Sequence, residues 1–202
     1  MKASDWVGCK GFPCGDVRHD VYIIPDVEVV PEKVSIVMIS EAAPANLGDY
    51  FYAGRESSFR QTTVQAFRDA GANVSSLQDL LDLGVYLTTA VKCGKTGYGI
   101  KASTIKECSQ ILEKELALFP DAKVYMLMGD VAIKAMNSIA ERAGEGKVIP
   151  AGSTYKIRGQ GYYFREKRVF PSYLQAGPSF FLEKSKRRMI AEDIAAALSL
   201  VK

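Results

Sequence analysis

Histidine is almost missing from this chain of 202 residues: the only one, His19, lies in the N-terminal segment, so none stands in any later loop. Long apolar runs are missing too. No stretch approaches the roughly 18 residues of a membrane span, and the opening "MKASDWVGCKG" lacks the apolar core of a signal peptide. The expected location is cytoplasmic, with no membrane partner. Strong charge is absent: the formal net charge is +3 and the pI is near 8.6. That excludes a dedicated nucleic-acid coat and leaves only a local basic patch for contact with nucleic acid. Cysteine is scarce, with four in all, and in a reducing compartment two structural disulfides are disfavoured. Internal repeats, low-complexity tracts and linkers are also absent. What is present is ordinary for a soluble globular protein, 48% hydrophobic and 24% charged. The length suits a single domain over residues 1–202, expected to be a monomer.

Apolar patterning predicts alternating strands and helices. "VSIVMIS" (34–40), "GVYLTTAVKC" (84–93) and "KVYMLMG" (123–129) are short, nearly continuous apolar runs, as strands buried on both faces require. "SSFRQTTVQAFRDAG" carries Phe59, Thr63, Ala66, Phe67 and Ala70 on one stripe and stops at Gly71. "ASTIKECSQILEKELALF" places Ile105, Cys108, Ile111, Leu112, Leu116 and Phe119 at helical spacing. It opens at Ser103 and is closed by Pro120. A third helix covers "DVAIKAMNSIAERAG". "STYKIRGQGYYFREKRVFPS" reads as a hairpin turning at Gly159–Gly161 with a last strand into Pro171, and "LEKSKRRMIAEDIAAALSLV" as a long C-terminal helix. The alternation predicts an α/β, three-layer sandwich with a central, mainly parallel four-stranded sheet flanked by helices. Such sheets bind ligands at the C-terminal ends of their strands. The loops after Ser40, Ala90 and Phe170 should therefore converge on one edge.

The cysteines pose a separate question. "GCKGFPCG" holds Cys9 and Cys14; "AVKCGK" and "IKECSQ" hold Cys93 and Cys108. Four unligated small hydrophobes, or one metal site assembled from distant segments, both fit the spacing. Four thiolates suit an iron–sulfur cluster or tetrahedral zinc.

The order of these motifs carries a resemblance. "SEAAPANLGDYFYAG", "YLTTAVKC", the helix with Cys108, "PDAKVYMLMGDVAIKAM" and "VFPSYLQAGPSFFLEKSKRRMIAEDI" follow one another from about Gly8 to Ile194. This succession resembles the uracil-DNA glycosylase superfamily, most closely its iron–sulfur families four and five. Those families show a Gly-Glu-Ala-Pro-Gly loop, a Gly-x-Pro-Phe-x-Gly segment and an Asn-Val-Val-Lys-Cys strand end. A cysteine in the next helix, a Leu-Gly turn and a His-Pro-Ser-Tyr-Leu loop follow. The resemblance implies a [4Fe-4S] cluster held by Cys9, Cys14, Cys93 and Cys108, with zinc the rival, although the family's N-terminal pair is usually separated by two residues rather than four. It implies a DNA partner, single-stranded or with a flipped base, and hydrolysis of the N-glycosidic bond to a deaminated or damaged base.

Residue by residue, the resemblance is uneven. Tyr52, beside Phe51, falls where the family's stacking Phe lies. The family's Glu stands two residues before Pro; here Ala42 holds that position and Glu41 stands one earlier, with Asp49 a second candidate for aiming water. Thr89 aligns with the base-reading Asn but lacks its paired amide groups. Phe170 replaces the family's His and cannot donate a hydrogen bond to a departing base, while Pro171, Ser172 and Tyr173 keep the loop. The expected site is thus Glu41 or Asp49 for water, and Ala42, Tyr52, Thr89 and Ser172 around the base. Lys184, Lys186 and Arg187 would meet phosphates. The lost His and Asn favour an alternative, a nucleic-acid- or nucleotide-binding module that kept the pocket without the chemistry.

Overall fold

The structure, a computed structural model, describes residues 1–97 and 99–201. Strands β1 (Val17–Arg18), β2 (Ile36–Ala43), β3 (Val85–Lys95), β4 (Val124–Met128), β5 (Tyr162–Phe164) and β6 (Lys167–Ser172) form one sheet in the order β1-β3-β2-β4-β6-β5. The expected four parallel strands are its inner part, β3, β2, β4 and β6. The sheet itself is six-stranded and mixed, because β1 and β5 add antiparallel edges. Both additions are too short for a two-residue alternation to be read in the sequence.

Helices cover both faces. In β2, Ile36 and Met38 join one buried cluster while Val37 and Ile39 join the other, the alternation a pleated strand imposes. The first cluster takes Phe67 of α1 (Ser58–Asp69) and Leu77 and Leu80 of α2 (Leu77–Asp82). It also takes Ile190 and Ile194 of α7 (Lys184–Ser199). The second takes Ile105, Leu112 and Leu116 of α3 (Ala102–Leu116) and Ala132, Met136 and Ile139 of α4 (Asp130–Arg142). Leu112 and Phe119 are completely buried, and each such side chain contributes about 1.5–3 kcal/mol. Two single-turn helices, α5 (Thr154–Ile157) and α6 (Ser179–Leu182), fill connections. Among the described residues no helix is long and apolar enough to cross a membrane.

Several boundaries differ from the sequence reading. The hairpin turns at Arg165–Glu166, both at positive φ (47° and 67°), as a two-residue type I′ turn needs. The segment before Gly159 is helical, not strand. The cap of α3 is Lys101, which makes no side-chain capping bond, and Ser103 lies inside the first turn. Three of the four inner strands also run further than their apolar cores. β2 continues through Glu41 and Ala42, β3 through Lys95, and β6 through Ser172, because backbone pairing carries on after the apolar residues end.

Candidate functional site

Chain order decides where the sheet can open. From β2 the chain moves outward to β3, then crosses back to β4 on the other side of β2. The ends of β2 and β4 are thus a topological switch point, where open α/β sheets leave a crevice. Glu41 and Gly129 stand there. The Glu41 carboxylate lies over the first turn of α4, with its Oε1 3.5 Å from the Val131 N–H, on the positive end of the helix dipole. Its Oε2 is 3.7 Å from Lys95 Nζ, and the side chain is 18% exposed. Gly129 adopts φ 100°, ψ 167°. A Cβ there would lie 2.7 Å from Glu41 Cγ and Oε1.

Two cavities meet at Glu41. One, of about 390 Å³, is lined by Glu41, Ala42, Asp49, Phe59, Lys95 and Leu174 among others. Asp49 reaches it from the turn Leu47–Asp49, which Asn46 caps by accepting the Gly48 N–H at 3.0 Å. Phe59, in the first turn of α1, packs on Phe51 with centroids 5.3 Å apart. The loop after β6 forms the far wall, pinned by buried Gln175, which hydrogen-bonds Ser40 at 3.1 Å, and by the Gly177 N–H donating to Thr62 at 3.2 Å. The second cavity, about 320 Å³, runs from Glu41 and Gly129 past Tyr173 to Lys186 and Arg187.

Of the site residues expected from sequence, Glu41, Ala42 and Asp49 share the first cavity, and Glu41, Lys186 and Arg187 share the second. Both cations have partners: Lys186 pairs with Glu183 and lies over the Tyr173 ring, and Arg187 pairs with Asp69 of α1. Lys184 is exposed outside both linings. Three expected base contacts lie elsewhere. The Tyr52 hydroxyl closes the outer edge of β3, accepting the Leu87 N–H at 3.1 Å and donating to the Leu87 carbonyl at 3.2 Å. Thr89 is completely buried; its carbonyl accepts from Lys92 Nζ at 2.6 Å, and its hydroxyl has no partner among the described residues. Ser172, also fully buried, donates to Asp193 at 2.6 Å. Burial pushes the Asp193 carboxyl up, opposed by Arg158 and Ser172. Phe170 is 6% exposed, paired with Met126 inside the sheet and covered by the Arg168 guanidinium at 4.2 Å. It lines neither cavity.

Sequence reading missed Phe59 and Lys95 as site residues. Phe59 was hidden because its spacing also fits a core stripe. Lys95 carries a weak signal, a cation at the end of a buried run on the ligand edge.

The four thiols gather beneath the N-terminal segment. Cys9, Cys14 and Cys108 line a cavity of about 210 Å³. Buried Cys93 packs in the same apolar cluster. Burial pushes the Cys93 thiol up to about 12, and the neighbouring Cys108, Cys9 and Cys14 add to the shift. Burial likewise raises Cys108, opposed by the Lys92 backbone N–H, and raises Cys14. Among the described residues no three His, Cys, Asp or Glu side chains are drawn tightly enough to hold one metal ion. Three thiols from two segments line this cavity and Cys93 lies in the adjoining buried cluster, a set of four sulfur donors of the kind an iron–sulfur cluster takes.

An α/β sheet with a crevice at its switch point and a thiol cluster beside the strand that follows places the chain in the class of open α/β domains whose crevices lie at the strand ends. Within it, residues 18–196 match the model of the uracil DNA glycosylase superfamily, and the chain belongs to that family. A 58-residue stretch is 36% identical to the type-5 uracil-DNA glycosylase of Thermus thermophilus. That stretch is 29% of this chain and spans only 26% of the relative.

Proposed function

We propose that the protein is a DNA glycosylase that hydrolyses the N-glycosidic bond of a deaminated or damaged base. The observation that carries the reading is one cavity at the switch point of a uracil DNA glycosylase superfamily sheet, holding both Glu41 and Asp49. Such an enzyme extrudes the nucleotide from the stack. The sugar then passes through an oxocarbenium-like transition state, which nearby negative charge stabilises. In this scheme one carboxylate takes a proton from the attacking water while the other faces the sugar. The flipped base lies against Phe59, which takes the aromatic role that the sequence assigned to Tyr52. Ala42, without a side chain beyond Cβ, leaves room beside it. The mouth at Lys186 and Arg187, with Lys184 beyond, meets the backbone phosphates. Cys9, Cys14, Cys93 and Cys108 would hold a [4Fe-4S] cluster. Its contribution is structural, clipping the N-terminal segment to the end of β3. Iron and sulfide analysis of anaerobically purified protein, with Cys93→Ala as control, tests that assignment; stoichiometric zinc instead refutes it.

A second reading, a non-catalytic nucleic-acid-binding module, is favoured by one observation: the Ser172 hydroxyl is committed to Asp193 and Phe170 is packed in the sheet. Single-turnover assays on oligonucleotides containing uracil, hypoxanthine or xanthine decide between the two. Base release that falls about 10²–10⁴-fold in Glu41→Ala or Asp49→Ala supports the enzyme. Tight oligonucleotide binding with no release from any of them supports the module.

A further inference from the structure

Lys95 is the one cationic side chain on the wall of the Glu41–Asp49 cavity among the described residues. Its position is built. The Lys95 backbone pairs with Val17 of β1. The residue before it must be glycine, since a Cβ on Gly94 would lie 1.8 Å from Val21 Cγ2 and 3.2 Å from the Pro44 carbonyl oxygen. A register shift between Ala42 and Ala43 sets Ala43 opposite Gly94, bringing the end of β3 level with the turn after β2. The ammonium stands 3.7 Å from Glu41 Oε2 with the side chain 31% exposed. Its backbone is therefore anchored at a strand end, not held on a loop, and the ammonium faces a carboxylate.

Cleaving a glycosidic bond places negative charge on the departing base, and Phe170 offers that charge nothing. We propose that Lys95 is a catalytic residue, whose ammonium takes the charge that builds on a carbonyl oxygen of the departing base. This rests on the glycosylase reading above and deepens it. The C1′–N bond breaks and its electron pair goes to the base, where the Lys95 ammonium donates a hydrogen bond to the carbonyl oxygen. Water oxygen bonds to C1′ and gives its proton to a cavity carboxylate. The base anion is then protonated by solvent and the carboxylate returns its proton, so one water is consumed and a sugar hydroxyl and a neutral base are produced. Glu41 holds the ammonium over the cavity. The substrate class that follows is bases with ring carbonyls able to carry the charge, as in uracil, hypoxanthine and xanthine.

The test compares wild type, Lys95→Met and Lys95→Arg. The first measurement is single-turnover release alongside oligonucleotide affinity. A loss of about 10²–10³-fold in release by Lys95→Met at unchanged affinity, with partial rescue by Lys95→Arg, supports the proposal. Unchanged release in Lys95→Met, with wild type active, overturns it and leaves the glycosylase reading standing. Weaker affinity with an unchanged release rate also overturns it, making Lys95 a phosphate contact. A covalent DNA adduct trapped by borohydride on wild type but not on Lys95→Met overturns it as well, making Lys95 a nucleophile. The second measurement needs no turnover: dialysis of free 5-nitrouracil, anionic at neutral pH, against neutral uracil. Preference for the anion in wild type that falls at least about tenfold in Lys95→Met supports Lys95 as the anion-stabilising group; the same preference in a wild type that cleaves no substrate overturns the glycosylase reading and the catalytic role with it, leaving Lys95 a contact for a base anion. No preference in wild type overturns the Lys95 proposal.

Discussion

Replacing Gly129 by Ala perturbs the proposed site through a single methyl group. The backbone at φ 100°, ψ 167° lies in a region open almost only to glycine, which costs a residue with a Cβ about 1–3 kcal/mol. The new Cβ also meets Glu41, 2.7 Å from its Cγ and Oε1 and 2.9 Å from its Cδ. The glutamate side chain is the movable partner, so it swings off the first turn of α4 and away from Lys95. The substitution thus has two separable effects. Stability falls by about 1–3 kcal/mol, or about 2–12 °C in Tm for a chain of this size. Base release falls toward the level of Glu41→Ala. Combining Gly129→Ala with Glu41→Ala separates them: once the carboxylate is gone, the added methyl lowers activity no further, whereas the backbone strain remains in the melting temperature. Thermal melts and single-turnover rates on the four proteins of this cycle check it. Losses in activity that multiply in the double variant refute the argument, because Gly129 would then act independently of Glu41.

Lys92 and Glu115 are both completely buried and ion-paired. Lys92 also donates to Thr88 at 2.7 Å, and Glu115 accepts from Tyr86 at 2.7 Å. Lys92→Met leaves a buried unpaired carboxylate and should cost about 3–5 kcal/mol in urea unfolding, most of it recovered by adding Glu115→Gln. Arg158 bonds Asp193 at 2.8 Å, and burial already raises the Asp193 carboxyl. Arg158→Met raises it further. Above that raised value Asp193 is charged and unpaired in the fold, so the variant's stability deficit is complete at neutral pH. It shrinks as pH falls through that value and the carboxyl protonates; a deficit that grows on acidification refutes this. Phe170→His places an imidazole inside the sheet beside Arg168, costs about 1–3 kcal/mol and yields no faster base release; a tenfold gain in rate would contradict the placement of Phe170.

Apolar runs made β2, β3 and β4 legible, since a strand buried on both faces carries few polar positions to blur it. The helices were legible for the matching reason: α3 and α4 each bury a single stripe against the sheet. The edge strands were not. β1 and β5 take their order from neighbours, Val17 pairing Lys95 and Tyr162 pairing Val169, which no local pattern encodes. The turn at Arg165–Glu166 hid because neither residue advertises positive φ, while the glycines nearby did. In the site, Glu41 and Asp49 were legible from the motif order. Tyr52 was misleading: motif position fixes where the chain passes, but the phenol's direction is set by the open edge of β3 at Leu87. Thr89 and Ser172 likewise sit at the expected chain positions with their groups engaged or buried below the cavity.

These departures share a physical pattern. At the end of β6, the strand that would present a donor to the base, each polar group is consumed by structure. Ser172 serves Asp193, Asp193 serves Arg158, and Phe170 serves Arg168 and the sheet. Together they fasten the C-terminal helix α7 and the segment around α5 to the sheet, and a hydroxyl bound to a buried carboxylate at 2.6 Å cannot turn to a ligand without giving up that bond. On the β2–β3 side the reverse holds. Glu41, Asp49 and Lys95 all line the open cavity, and the contact between Glu41 and Lys95 is long enough to yield. Chemistry that needs groups free to rearrange around a flipped base therefore belongs on that side. In the proposed reaction the charge offered to the transition state comes from the ends of β2 and β3, with the end of β6 acting as the wall they work against.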